Sequence, residues 1–232
     1  MSMQKNFLVV GSSSALGQAT AELLRESGHY VLGVGRSVLS GLYHEHYGID
    51  NYDFGNFPEI EKPLHGLLYC PGTIQLKPFH RITPQEWRDE MQVNFLGAVS
   101  AVQQYLPQLK SAGQSSVLFV STVAVKCGMP FHASVASAKA ALEGLSRSLA
   151  AEYAPVIRFN VIAPGLTESG LSERLLNTPE KRESAAKRHP MKSIGKPLDL
   201  ASAAQFLLSD SSGWITGETM AVDGGMANLR VG

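Results

Sequence analysis

Short apolar runs alternate along the chain with longer segments in which apolar residues recur every three or four positions. The short runs are typical of buried strands, and the longer segments predict amphipathic helices. This alternation predicts a three-layer α/β fold, in which a doubly wound parallel sheet has helices on both faces. The predicted strands are residues 6–10, 30–35, 47–49, 65–70, 116–121, 157–162 and 219–222.

The first predicted helix covers residues 16–27, directly after the first strand. Another begins near Thr83, where the sequence TPQE combines a threonine cap, a proline in the first turn and a glutamate three residues on. Its apolar spacing continues through Asn94 to about residue 109, so we expect one long helix. Residues 36–64 are too few for a helix, a strand and a further helix, which predicts a trimmed connection.

Composition and charge narrow the class of protein. The 232 residues are 44% hydrophobic, which favours one domain over residues 1–232, and Lys plus Arg equal Asp plus Glu at 20 each. The zero net charge argues against nucleic acid or an anionic membrane as a partner. Two cysteines are too few for a disulfide framework, and two imidazoles in the sequence HEH without further ligands do not predict a metal site. With no apolar run of about 18 residues and no secretory pattern, we expect a cytoplasmic protein.

A turn rich in glycine and serine joins the first strand to the first helix in the sequence FLVVGSSSALG. Small residues let backbone N–H groups approach a phosphate, which then lies at the positive end of the helix. Many such turns only reverse the chain, and the position between strand and helix is what favours nucleotide binding. The residues expected to bind a pyrophosphate are Gly11, Ser12, Ser13, Ser14, Ala15, Leu16 and Gly17.

A second pattern lies in the segment FVSTVAVKCGMPFHASVASAKAALEG. It resembles the active-site segment of the short-chain dehydrogenases/reductases, in which a serine ends a strand and a helix carries Tyr-x-x-x-Lys. Lys139 matches the lysine, Thr122 stands at the serine position, and Val135 takes the place of the tyrosine. Asn94 matches the family's structural asparagine, and Ala15 replaces the middle glycine of the family's glycine pattern. The resemblance implies a Rossmann-like fold and a nicotinamide cofactor.

The resemblance extends to other places where the family binds its cofactor. They include an aspartate that meets the adenine amino group, a segment beside the adenosine ribose, and a proline–glycine pair that passes the nicotinamide. A hydroxyl residue follows this pair, and two residues of the sequence LTES compete for its place. The positions implied are Asp50, Cys70, Gly72, Lys139, Pro164, Gly165 and Ser169, the last with Thr167 as the alternative.

The end of the second predicted strand bears on the choice of nicotinamide cofactor. Enzymes that prefer NAD(H) usually place an acid there to hold the ribose hydroxyls. This chain has Gly35, followed by Arg36. A guanidinium suits a 2′-phosphate because it directs two donors at one anion, and Ser12 or Ser13 could add a hydroxyl. The alternative is a solvated arginine at a strand end. We expect NADP(H) to be favoured over NAD(H).

Val135 leaves the implied chemistry without its proton donor. In the family, the tyrosine exchanges a proton with the substrate, while the lysine lowers the pKa of the phenol and holds the ribose. The Thr122 hydroxyl is too weak an acid to replace a phenol, and Lys139 is expected to be held by the cofactor. His132 is the nearest candidate, since an imidazole titrates near pH 6.5; the alternative is a solvated loop residue.

Two functions follow from these residues. The first is an NADP(H)-dependent oxidoreductase that acts on a small carbonyl or alcohol, with Asn94, Thr122 and Lys139 retained and a proton moved by water or His132. The alternative is a catalytically silent NADP(H)-binding protein that acts as a sensor or partner subunit. Val135 favours this alternative or a chemistry that needs no tyrosine. The retained substrate side with its lid favours the oxidoreductase, which we expect.

Residues 170–197 include the mixed-charge sequence EKRESAAKRHPMK, which predicts a helical lid over the substrate. The lid is expected to select a small-molecule substrate through its side chains. The resemblance also implies a homodimer or homotetramer joined through two long central helices. The alanine- and leucine-rich helix Ala133–Tyr153 fits such an interface, and it fits burial inside one subunit equally well.

Overall fold

The structure is a computed structural model that describes residues 3–39 and 41–230. Seven strands form one sheet in the order β3-β2-β1-β4-β5-β6-β7, and every neighbouring pair is parallel. The chain moves outward from β1 to β3 and then returns to β4 on the other side of β1, which makes the sheet doubly wound. The strands are β1 (Asn6–Val10), β2 (Tyr30–Gly35), β3 (Glu45–Gly48), β4 (Gly66–Tyr69), β5 (Ser115–Val120), β6 (Ile157–Pro164) and β7 (Thr219–Val222).

Helices cover both faces of the sheet because successive strand residues point to opposite sides. Leu8 and Val10 of β1 pack in the core under one helical layer, and Phe7 and Val9 pack in the core under the other. The predicted three-layer α/β fold is therefore confirmed. The helices are α1 (Ala15–Glu26), α2 (Pro84–Met91), α3 (Gly97–Ser111), α4 (Ala124–Cys127), α5 (Ala133–Tyr153), α6 (Glu173–Leu176), α7 (Pro179–Arg188) and α8 (Pro197–Leu208), with 3-10 turns at Phe79–Arg81 and Asp210–Ser212.

The helix expected from Thr83 to residue 109 is interrupted. The Thr83 cap is confirmed, because its side chain accepts the N–H of Glu86 and the Glu86 carboxylate accepts the N–H of Thr83. A π-helical turn, Gln92–Leu96, then separates α2 from α3. The Asn94 side chain donates to the carbonyl oxygen of Glu90 at 3.0 Å and so competes for an acceptor of the regular helix ladder. Apolar spacing does not reveal this break, and such turns often occur at functional sites.

The short third strand begins two residues before the predicted one. β3 pairs with β2 from Leu32 opposite Glu45 to Gly35 opposite Gly48. This register requires glycine at position 33, because the ring of His46 lies over it. A Cβ atom on Gly33 would be only 2.5 Å from that ring. Among the described residues, no helix lies between β3 and β4, which confirms the trimmed connection.

The hydroxyl of Tyr69, at the end of β4, joins the sheet to the π-helical turn. It donates to the carbonyl oxygen of Val93 at 2.8 Å, and the ring is fully buried. We expect Tyr69→Phe to lower the free energy of unfolding by about 1–2 kcal/mol, since a buried carbonyl loses its donor. Urea denaturation followed by circular dichroism measures this loss. An unchanged midpoint would contradict a structural role for the hydroxyl.

Candidate active site

One cavity of about 500 Å³ opens at the carboxyl ends of the central strands. It lies where the strand order reverses, the usual place for a ligand in a doubly wound sheet. Three residues predicted to bind the cofactor, Ser12, Gly17 and Asp50, do not line it. The predicted residues that do line it are Gly11, Ser13, Ser14, Ala15, Leu16, Arg36, Cys70, Gly72, Asn94, Thr122, His132, Val135, Lys139, Pro164, Gly165 and Ser169.

The turn between β1 and α1 depends on two positions without side chains. Gly11 has a φ of +83°, and a Cβ atom there would lie 2.9 Å from the backbone nitrogen of Pro71. A Cβ atom on Gly17 would lie 2.7 Å from the carbonyl oxygen of Gly11. Gly17 is thus a packing position beneath the turn. The first-turn N–H groups of Ala15 and Leu16 have no helical partner and can serve an anion.

The three serines of the turn have different surroundings. Ser14 caps α1, since its Oγ accepts the N–H of Gly17 at 3.0 Å. Ser13 is exposed at the cavity. Ser12 is fully buried, and its Oγ lies 2.7 Å from Nε2 of His46. In this arrangement the Ser12 hydroxyl is engaged by His46, and Ser12 does not line the cavity.

The residue that follows β2, Arg36, places a positive charge at the edge of the cavity. A Cβ atom on Gly35 would lie 2.5 Å from the Ser12 Oγ, so this place has no room for an acid. Arg36 is exposed, and its guanidinium carbon lies 6.0 Å from the ring centroid of Tyr52, which also lines the cavity. Asp50 is exposed and lies outside the cavity.

Val135 and Lys139 lie one turn apart on α5 and face the same cavity. Val135 is 3% exposed and Lys139 is 6% exposed. Burial lowers the pKa of Lys139 to about 8, and electrostatic interactions with Cys70 and Glu90 oppose this shift. Burial raises the pKa of Cys70 to about 11, so this thiol is neutral at neutral pH. The cavity thus holds an ammonium group that titrates near the physiological range.

Thr122 and His132 approach the cavity from the loops on either side of α4. The Thr122 Oγ1 accepts the N–H of Ala124 at 3.3 Å, which leaves its own proton free to donate into the cavity. Nδ1 of His132 lies 2.8 Å from the carbonyl oxygen of Pro130. A neutral ring with its proton on Nδ1 satisfies this contact and leaves Nε2 as an acceptor.

Sequence reasoning missed a buried carboxylate behind the cavity wall. Glu90 is 1% exposed, and its Oε1 accepts the Thr73 hydroxyl at 2.8 Å. Asn94 donates to the Thr73 Oγ1 at 2.9 Å, and the N–H of Thr73 donates to the Asn94 Oδ1 at 3.3 Å. The pKa of Glu90 is raised by burial. The helical spacing of Glu90 and Asn94 was a signal, since residues four apart share a face.

A second missed residue, His189, ties the end of α7 to the turn after β6. It is buried, its Nε2 lies 3.3 Å from the N–H of Leu166, and its Nδ1 lies 2.9 Å from the carbonyl oxygen of Ala185. The two candidate hydroxyls of this segment both line the cavity: Ser169 Oγ lies 3.2 Å from the Ser172 Oγ, and Thr167 donates to the Gly165 carbonyl oxygen. They remain alternatives.

Two negative findings apply to residues 3–39 and 41–230. No group of three or more His, Cys, Asp and Glu side chains in these ranges is placed to hold a metal ion. No helix in these ranges combines the length and the apolar character needed to cross a membrane.

Comparisons with known proteins agree with this fold. The chain is similar to the 3-oxoacyl-(acyl-carrier-protein) reductase of Vibrio cholerae, at 30% identity over 94% of this chain and 96% of that protein. It superposes on the ligand-free aldohexose dehydrogenase of Thermoplasma acidophilum with a TM-score of 0.91 and 25% identity, over 99% and 97% of the two chains. A gluconate 5-dehydrogenase of Burkholderia cenocepacia, solved with NADP and tartrate, gives a TM-score of 0.89 at 22% identity, over 98% and 97%.

Residues 56–227 match the protein family described as enoyl-(acyl carrier protein) reductase. A doubly wound sheet with a glycine turn at its switch point defines a nucleotide-binding α/β protein. More narrowly, the chain belongs to the short-chain dehydrogenase/reductase family of oxidoreductases. The family resemblance of the sequence is thereby confirmed.

The burial of Lys139 predicts a measurable effect on stability. Its pKa in the folded protein, about 8, lies below the ordinary lysine value of 10.5, so the unfolded chain binds more protons between these pH values. Lys139→Met should raise the free energy of unfolding below pH 8 by up to about 3 kcal/mol, because no ammonium is buried. The gain should shrink as pH rises to about 10.5. Urea denaturation at several pH values measures it; a gain independent of pH would contradict the burial of a charged amine.

Proposed function

We propose that the protein is an NADP(H)-dependent oxidoreductase that interconverts a small carbonyl compound and its alcohol. The observation that carries this proposal is that Thr122 and Lys139 line the same cavity as the glycine turn. Asn94 lines it as well, between them and α2. A hydroxyl donor and an ammonium group therefore face the space next to a phosphate-binding helix end.

The cavity fits an adenine dinucleotide. The turn at Gly11 has no room for a Cβ atom, and the first-turn N–H groups of Ala15 and Leu16 would hold the pyrophosphate. Lys139 would hold the nicotinamide ribose, and the Pro164–Gly165 segment would flank the ring. The bound cofactor supplies or accepts a hydride. The Thr122 hydroxyl would bind the substrate oxygen, and residues 170–197, which carry α6 and α7, would cover the substrate as a lid.

The proposed preference for NADP(H) rests on the end of β2. Arg36 offers an exposed guanidinium, the place of the ribose-binding acid is closed at Gly35, and a gluconate 5-dehydrogenase of the same fold was solved with NADP. Arg36→Ala should weaken NADPH binding about 10- to 100-fold and leave NADH binding unchanged, because one charge-assisted contact is lost. Calorimetric titration with both cofactors measures this. Arg88→Ala, on the exposed side of α2, is the control, and tighter NADH binding by the native protein would contradict the preference.

The proposed site is degenerate because Val135 stands where the family has its tyrosine. An aliphatic side chain exchanges no proton, and general acid–base catalysis is worth roughly 10²- to 10⁴-fold in rate. Val135→Tyr should therefore raise the rate of carbonyl reduction by a factor within this range. Val135→Phe supplies a ring without the hydroxyl and should give no gain. Equal rates for the two variants in steady-state NADPH oxidation would contradict the assignment of this position.

A second candidate function is a catalytically silent NADP(H)-binding protein that acts as a sensor or as a partner subunit. Val135 favours it, since the cofactor site does not need a proton donor at this place. The two functions separate in one comparison: the silent protein binds NADPH and oxidises none until Val135→Tyr is introduced. Brisk turnover by the native protein that His132→Ala abolishes would instead support an oxidoreductase in which His132 moves the proton.

A further inference from the structure

A buried carboxylate beside the cavity has no part in the chemistry proposed so far. Glu90 ends in a pocket formed by Thr73 and Asn94, both of which line the cavity next to Lys139. We propose that Glu90 is a positioning residue that keeps the Lys139 ammonium protonated, so that Lys139 donates the proton that Val135 cannot. The inference rests on the proposed oxidoreductase function and names the group that completes it.

The Glu90 carboxylate is held in place on both oxygens. Oε1 accepts the Thr73 hydroxyl at 2.8 Å, and Oε2 lies 3.4 Å from the Asn94 Nδ2. The Asn94 amide also donates to the Thr73 Oγ1 at 2.9 Å, which closes a three-membered cluster. A buried polar group that is satisfied in this way has one fixed orientation. The negative charge is therefore presented to the cavity wall from a constant position.

Lys139 approaches the hydrogen-bonded cluster of Glu90, Thr73 and Asn94 at Gly72. A Cβ atom built on Gly72 would lie 3.5 Å from the Lys139 Nζ and 3.2 Å from the Asn94 Oδ1. Lys139 and the Glu90 cluster therefore both border the space beside Gly72. α2, which carries Glu90, packs against α5, which carries Lys139. Burial raises the pKa of Glu90, whereas the Thr73 hydrogen bond and the Lys139 charge lower it.

Other titratable groups do not substitute for Glu90 among the described residues. Cys70 also faces Lys139, but its pKa of about 11 keeps the thiol neutral. Glu86, one turn earlier on α2, forms an ion pair with Lys77. On α5 itself, Glu143 accepts the Ser121 hydroxyl. Cys70 and, after it, Glu90 raise the pKa of Lys139 against burial and leave it at about 8, where an ammonium group can release its proton near neutral pH.

In the proposed reaction, Lys139 supplies the proton and the bound cofactor supplies the hydride. In the reductive direction the carbonyl carbon gains a hydride with its electron pair, and the carbonyl oxygen gains a proton from the Lys139 Nζ. Lys139 is left as a neutral amine and takes a proton back from solvent. An ammonium group has three N–H donors, so contacts with a ribose leave one donor for the substrate oxygen.

The test follows the ionisation of Lys139 in the full-length protein without cofactor. Nuclear magnetic resonance of ¹⁵N-lysine-labelled protein monitors each Nζ against pH, and loss of one resonance in Lys139→Met assigns it. Glu90→Gln should move the Lys139 midpoint down by about one pH unit, since an opposite charge is removed. Glu86→Gln removes a carboxylate one turn away on the same helix and should leave the Lys139 midpoint in place.

A second variant, Thr73→Val, tests the proposal independently if Glu90→Gln does not fold. Thr73→Val keeps the shape of the side chain and removes the donor that stabilises the Glu90 anion, so the Lys139 midpoint should fall in the same direction by a smaller amount. An unchanged midpoint in a folded variant of either kind overturns the proposal. So does an alkaline limit of NADPH oxidation that stays in place when the Lys139 midpoint moves. Failure of the proposed function gives a different result, namely no binding of either nicotinamide cofactor by the native protein.

Discussion

The close approach of the first turn to the ends of two strands is the constraint on which the site depends. Gly11 touches the backbone after β4, and Gly17 lies against the carbonyl oxygen of Gly11. Because neither position has room for a side chain, α1 can begin directly above β1 and direct its first N–H groups into the cavity. The same contact brings Cys70 and Gly72 beside the turn. One side chain at either glycine would move apart the two halves of the site.

Burial and chemistry are linked on the opposite wall of the cavity. The π-helical segment directs the Asn94 side chain inward, where its amide group donates to the Glu90 carbonyl oxygen and to the Thr73 hydroxyl oxygen. This arrangement fixes a carboxylate in the protein interior near Lys139. Val135, an aliphatic side chain that is 3% exposed, also lies on this wall, and apolar surroundings lower the pKa of an ammonium group.

Most of the fold was predictable because its signals are local. Residues 7–10 of β1 form an uninterrupted apolar run, and the Thr83 cap is encoded within four residues. The features that escaped prediction depend on tertiary contacts. The π-helical turn arises from side-chain hydrogen bonds within the packed interior, and the register of β3 depends on His46 packing over Gly33.

The same distinction holds for the candidate site. The glycine turn and Lys139 have a recognisable spacing, whereas the burial of Ser12 and Glu90 follows only from what packs around them. Ser12 sits in a run of three serines, and only the neighbouring strand decides which of them turns inward. Spacing can therefore indicate which residues belong to a site, but not which side chains reach its ligand.

If the protein has the proposed preference for NADP(H), the contact between Gly35 and Ser12 restricts how that preference could change. An aspartate at Gly35 would meet the Ser12 hydroxyl, which is itself bound to His46 under the turn. A single substitution at Gly35 would therefore disturb the turn between β1 and α1, which is proposed to bind the pyrophosphate, before it could supply a new ribose ligand. A change of preference to NAD(H) would require coordinated substitutions at Gly35, Ser12 and His46. Single successive mutations are poorly suited to produce such a change.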